Sequence, residues 1–518
     1  MKKISRFIVP LAAVLAFASC DKGFETKNQN PYALTSVDPG LLFSNVERNL
    51  SVGNWEVEQT IVQQFVNAYN AGATTGFNFN ASNNNYNTPT WNQSYNTPVK
   101  YLEQIISLVK NDPSRANLYQ MSRILRAYTF MVLVDSYGDV PYSEAGKAFL
   151  SGITTPKYDK SADIYADIYK ELKEATAALS PTAPFVAGDV IYGTGRGFLN
   201  NTAQVAQWKK AGYSLLLRLG MRYSKLDATK AQSIVQEAVA GGVMTANNDN
   251  MLLLFNTIDA NPLNNPQRTT NPFNYYMAEP FVNQLKGTGD PRSKYLVATY
   301  TNPAQIGGAP VDTVAANQFG FPVGYDDITI KTKPDYRGSN PNAGFKYSQL
   351  NFNVFGSSTA PVFFVSLAQT KLLLAEAAVR NWIPGGFATA NTLYREGIRA
   401  SMDEYALYPN ALPIPDLNYQ SYAAQPSVAL APGNELQMIN TQYWIASIGN
   451  GHEGFANFRR SGFPALTPNA YNNNLNGGFA RRTGYPQGES ATNGANYNAA
   501  VASMGGDGLT QRVFWDKL

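Results

Sequence analysis

Aromatic rings and side-chain amides crowd together in one stretch of this chain. Between Asn67 and Thr90, Tyr69, Phe77, Phe79 and Tyr86 are interleaved with Asn67, Asn70, Asn78, Asn80, Asn83 and Asn84. Phe273, Tyr275 and Tyr276 form a smaller set at the end of a polar, proline-rich stretch that begins at Asn261. Rings offer flat apolar faces and amides offer neutral hydrogen bonds, each worth roughly 0.5–1.5 kcal/mol net. Charged residues make up only 15% of the chain, so these groups suit uncharged polar ligands better than phosphates. Counting removes other chemistries. His452 is the only histidine and Cys20 the only cysteine, which excludes two-histidine metal sites and cysteine clusters. Gly193 to Gly197 lacks the Lys-Ser/Thr ending of a phosphate loop. No catalytic residue, metal ligand or cofactor is assigned.

The first residues carry a different chemistry. Lys2, Lys3 and Arg6 precede an apolar run from Phe7 to Ala18, and Ala18, Ser19 and Cys20 close it. That is the pattern of a removable signal peptide over residues 1–19, too short for the ~20 apolar residues a membrane span needs. Ala18-Ser19-Cys20 resembles the bacterial lipobox, in which the cysteine is acylated and becomes the first mature residue. Residues 20–30, polar and without periodicity, then read as a lipidated start and flexible tether. Removing the leader takes away three of the 41 basic groups and brings the chain close to balance with its 37 acidic ones. No basic tract remains to suggest nucleic acid.

The elements that must hold the ring-bearing segments are helices. Apolar residues recur at helical spacing over Val37–Leu50, Glu56–Ala68, Trp91–Val109, Leu118–Val134, Ser161–Leu179, Thr202–Tyr223, Thr229–Ala240, Phe364–Arg380, Ala388–Tyr405 and Leu436–Ile448. Asp38 before Pro39 and Ser161 read as caps, and Gly138 with Pro141 as a helix stop. Leu436–Ile448 reads as the last clear helix. Asn67–Thr90, Asn261–Asn274 and Thr301–Ala360 are too polar or too rich in glycine and proline for packed helices, and read as long loops, the last with at most short strands. Trp91, Trp208 and Trp444 lie at helical spacing with other apolar residues and belong to the core. The expectation is an all-α fold of antiparallel helix pairs with long irregular insertions, one domain over residues 31–518. Length permits a division near residue 250 as the alternative. Arg459-Arg460-Ser461-Gly462-Phe463-Pro464 recurs as Arg481-Arg482-Thr483-Gly484-Tyr485-Pro486, either locking the C-terminal loops to the scaffold or forming an anion site.

Several stretches together resemble one family. Arg123 to Phe130, Tyr137-Gly-Asp-Val-Pro-Tyr-Ser-Glu-Ala145, Ala375 to Ala378, Ile398 to Met402, Thr441 to Trp444 and both double-arginine motifs are similar to the SusD/RagB outer-membrane lipoproteins. Asn30-Pro31 with Thr35 to Pro39 fits the start of the SusD-like branch. The resemblance implies tetratricopeptide-like helices, lipid anchorage at the outer membrane facing the cell exterior, and partnership with a SusC-like TonB-dependent transporter. It implies capture of an oligosaccharide or, in some members, a peptide, without catalysis.

A sugar ring has an apolar face and a rim of hydroxyls, so it is bound by rings plus amides or carboxylates. On that reading Asn67, Tyr69, Phe77, Phe79, Asn83, Asn84, Tyr86, Phe273, Tyr275 and Tyr276 are the candidate ligand-binding residues. The alternative for each ring is that it staples its loop to the scaffold. A glycoside hydrolase acting through a carboxylate pair is the rival class, since Asp and Glu are too common here to exclude one by counting.

Overall fold

The computed structural model describes residues 37–68, 82–269, 272–302, 311–341, 343–469, 475 and 477–517. Cys20, with the leader and tether, lies outside them, as do Tyr69, Phe77 and Phe79.

The scaffold is helical, as the periodicity predicts. Helix α1 (Pro39–Arg48) starts where expected, with the Asp38 side chain accepting from the Gly40 N–H and Pro39 in the first turn. The segment Glu56–Ala68 departs from expectation. One helical turn, Glu58–Ile61, ends as Gln63 takes a φ of 55°, and Phe65 and Val66, an aromatic and a β-branched residue, extend beyond it in strand β1 (Phe65–Asn67). Helix α2 (Asn84–Ser94) begins inside the stretch read as loop, because the Asn83 side chain caps it by accepting from the Asn85 N–H. Its low apolar content hid it. A π-helical stretch, Tyr95–Val99, joins it to α3 (Lys100–Val109).

Helices α4 (Ala116–Tyr137), α5 (Ser161–Ala178), α6 (Asn201–Arg222) and α7 (Ala228–Gly241) then pack as successive neighbours. Gly138 ends α4 with φ 86°, as read. Ser161 is the first residue of α5 and not its cap; its N–H donates to Asp139. Short strands β2 (Met251–Leu253) and β3 (Tyr275–Met277) follow, with β4 (Val297–Tyr300) between two two-residue strands and β5 (Val362–Val365) beyond them. β3 pairs antiparallel with β1, setting Asn67 opposite Tyr275, and β2 pairs antiparallel with β5.

Helices α8 (Leu367–Val379) and α9 (Gly386–Asp403) form the next pair. Helix α10 (Glu435–Ala446) is not the last. It is followed by α11 (Gly451–Ser461) and α12 (Gly494–Met504). Helix α11 escapes the apolar test because its buried residues include His452, Glu453, Asn457, Arg459 and Arg460. Trp91, Trp208 and Trp444 are buried, and one apolar core runs from Phe43 to Trp515.

Candidate ligand-binding site

Around a cavity of about 200 Å³, five segments meet: the chain leaving α1, one flank of α2, the exit of β2, Pro262–Gln267, and β5. Val362, Phe364 and Leu253 supply an apolar floor, and Asn54, Glu56, Gln93 and Gln267 are among its polar lining. Asn54 Oδ1 and Gln267 Oε1 are buried and have no hydrogen-bond partner among the described residues. Such acceptors cost free energy unless a donor reaches them.

The wall from Ser51 to Gly53 is fixed from behind by α11 and α4. His452 Nε2 lies 2.9 Å from Ser51 Oγ, and the Tyr128 hydroxyl donates to the Ser51 carbonyl at 2.7 Å. Gly53 has φ 83°, and a Cβ there would sit 2.7 Å from Glu58 Oε2 and 3.1 Å from the His452 nitrogen, so only glycine fits. Glu58 Oε1 faces His452 Nδ1 at 3.2 Å. Burial pushes the Glu58 carboxyl up, but His452 and the Asn54 N–H outweigh it and hold it below its ordinary value. His452, which reads in the sequence as a polar loop residue, is thus a buried helical strut behind the cavity.

Two of the predicted rings converge beside this wall. Tyr275, from β3, bonds to Glu56 and stacks on Phe65 with ring centroids 5.7 Å apart. Tyr86, from α2, also faces Glu56. Burial raises the Glu56 carboxyl, opposed by its bond to Tyr275. Burial, and then the Glu56 charge, raise both tyrosines. Segments nearly two hundred residues apart therefore share one carboxylate that also lines the cavity.

The other described candidates are placed differently. Asn67 is buried in the β1–β3 ladder. Asn83 is spent on its cap, and the exposed Asn84 accepts from the Gln487 N–H at 2.8 Å. Phe273 is partly exposed, and its carbonyl accepts from the Tyr276 hydroxyl at 2.6 Å. Tyr276 is fully buried against Phe321 and Phe345, so it packs the loops and presents no face to solvent. Sequence reasoning missed Asn54, Glu56, Gln93 and Gln267. Gln267 lies in the Asn261–Asn274 stretch read as loop, where only the rings drew notice; the structure puts it on a short helical turn, Asn265–Thr269.

Residues 31–486 match the SusD-like family described as starch-binding associating with outer membrane. The chain belongs to that family. SusD-like structures share its fold over nearly their whole length. A chitin-binding protein is 28% identical with a TM-score of 0.78, covering 93% of this chain and 100% of that one. A Bacteroidetes SusD-like protein, AC2a, is 26% identical with a TM-score of 0.79 and the same coverage. A chitin-binding SusD homolog from Flavobacterium johnsoniae, 22% identical over 92% of this chain and 97% of its own, shares the fold with a TM-score of 0.71. No curated protein matches the chain. The family is one of glycan-binding proteins associated with the outer membrane, and its fold is the helical one expected.

Proposed function

We propose that this SusD-like protein is a surface lipoprotein, anchored through acylated Cys20, that captures a neutral oligosaccharide in the cavity beside Glu56. It then delivers the sugar to a SusC-like TonB-dependent transporter in the outer membrane. The observation that carries the reading is the cavity's chemistry: unpartnered acceptors on Asn54 and Gln267 next to a carboxylate, above an apolar floor. Sugar hydroxyls supply donors to such acceptors, and the C–H face of the ring covers apolar surface. The family description and the chitin-binding relative support the same ligand class.

Capture is favoured over hydrolysis. Glycoside hydrolysis needs two carboxyls about 5–9.5 Å apart, and Glu56 is the one carboxylate among the described residues lining this cavity. A larger recess of about 650 Å³ between α8, α9 and the Thr245–Asn248 turn is edged by two ion pairs, Lys371 with Glu396 and Arg399 with Asp403, and by the buried Glu404.

Calorimetric titration of the mature protein with chitohexaose, maltoheptaose and hexa-alanine tests the reading. One of the two sugars binds, hexa-alanine does not, and no reducing ends are released. Binding of the peptide alone, or release of reducing ends, would overturn it.

A further inference from the structure

Helix α2 has a second cavity on its other flank. In an α-helix each residue turns by about 100°, so Pro89, Thr90 and Gln93 share one flank and Trp91 and Asn92 another, which Tyr95 continues at the start of the π-helical stretch. The first three line the cavity beside Glu56. The second three, with Asn96 in the π-helical stretch, line a separate cavity of about 260 Å³.

Its walls carry groups of the same kind as the first. Tyr95 is partly exposed; its ring packs 4.8 Å from that of Trp91, and its hydroxyl donates to the Pro141 carbonyl at 2.7 Å, so the ring is held in place. Glu489, Thr492 and Asn493 face it from the chain before α12. Glu489 is positioned by the Tyr158 hydroxyl at 2.6 Å, and the Asn493 amide donates to the Pro156 carbonyl at 2.8 Å. Asn92 and Asn96 are exposed, and their side chains make no hydrogen bond among the described residues. A fixed ring, two available amides and a carboxylate around a space of this size fit a single sugar unit.

We propose that this cavity is a second glycan-binding subsite, so that α2 divides two places where one polymer is held. The inference rests on the glycan reading above. The subsites are separated by about one helix diameter, ~10 Å, close enough for adjoining parts of one chain to occupy both. Linked binding of that kind raises retention of a polymer far more than that of a short sugar.

Titration with the disaccharides chitobiose and maltose, each too short to reach both subsites, counts the sites. The wild type takes up two equivalents of the sugar it binds. Asn92→Ala/Asn96→Ala takes up one with unchanged affinity, and its retention on the corresponding insoluble chitin or starch falls at least tenfold. Asn96→Lys, which places a long cation at the cavity mouth, does the same. A wild type that binds one equivalent, or variants whose isotherms superimpose on it, would overturn the second subsite and leave the first standing. A wild type that binds neither sugar overturns both.

Discussion

Charged side chains buried between helices hold the scaffold together at the residue scale. Arg460 reaches both oxygens of Glu376 at 2.7 Å, and each residue is about 1% exposed. Burial pushes the Glu376 carboxyl up, but Arg460 dominates and holds it at about 2 instead of the ordinary 4.5. Because the folded value lies below the unfolded one, the pair contributes stability at neutral pH, on the order of 3 kcal/mol, which disappears as pH falls from about 5 to 2. Arg460→Ala leaves the buried Glu376 carboxylate with only Arg380 and Asn440 beside it and costs about 3 kcal/mol in urea denaturation at pH 7, with the deficit shrinking toward pH 3. Glu47 and Asp189 give the opposite sign. Burial and mutual repulsion raise Glu47 well above its ordinary value, and burial raises Asp189. Stability from this pair is therefore greatest in acid and is lost as pH rises through the folded values. Glu47→Gln can keep the bond from the Val190 N–H and donate to Asp189. It raises the melting temperature at pH 8, by about 1 kcal/mol of stability, and does little at pH 4.

The repeated double arginines were visible in the sequence, and the scaffold-locking alternative is the one whose contacts are seen. Arg459 donates to the Arg481 carbonyl at 2.8 Å and covers the Phe455 ring at 3.8 Å, while Arg481 and Arg482 pair with Asp516 and Asp507. Their partners were not visible, because a carboxylate more than twenty residues away leaves no local pattern.

At the scale of elements, close helix contacts depend on glycine. A Cβ on Gly212 of α6 would meet Thr176 of α5 at 2.1 Å, and one on Gly397 of α9 would meet Leu372 of α8 at 2.8 Å. Alanine favours an isolated helix by about 1 kcal/mol over glycine, but overpacking costs about 1–3 kcal/mol. Gly397→Ala is therefore a net loss, read as a lower melting temperature. The long helices were legible because their apolar residues recur every three or four positions. Helix α11 was not, since its inward face is polar, and the Glu56–Ala68 strand was not, since three residues of strand carry no period of their own. The site shared this fate. Tyr86 and Tyr275 were legible as rings, but Glu56, which draws them together, sat in a segment that looked like helix interior. Asn54 and Gln93 are ordinary polar residues at element ends, significant only once α1, α2 and β5 have met.

For the molecule as a whole, one core from Phe43 to Trp515 ties the first described helix to the last turns of the chain. The cavity's walls come from both halves, so the fold must close before the site exists. Anchorage and capture are separable on this account. Cys20→Ser releases the protein from the outer-membrane fraction while leaving its sugar affinity unchanged, which fractionation and titration of the same preparation check together. The direct test of capture is Asn54→Ala/Gln267→Ala, compared with wild type by titration with the oligosaccharide that wild type binds. Two lost hydrogen bonds of roughly 0.5–1.5 kcal/mol each predict an affinity weaker by about tenfold or more, with the circular dichroism unchanged. An unaltered isotherm from a correctly folded double variant would contradict the account.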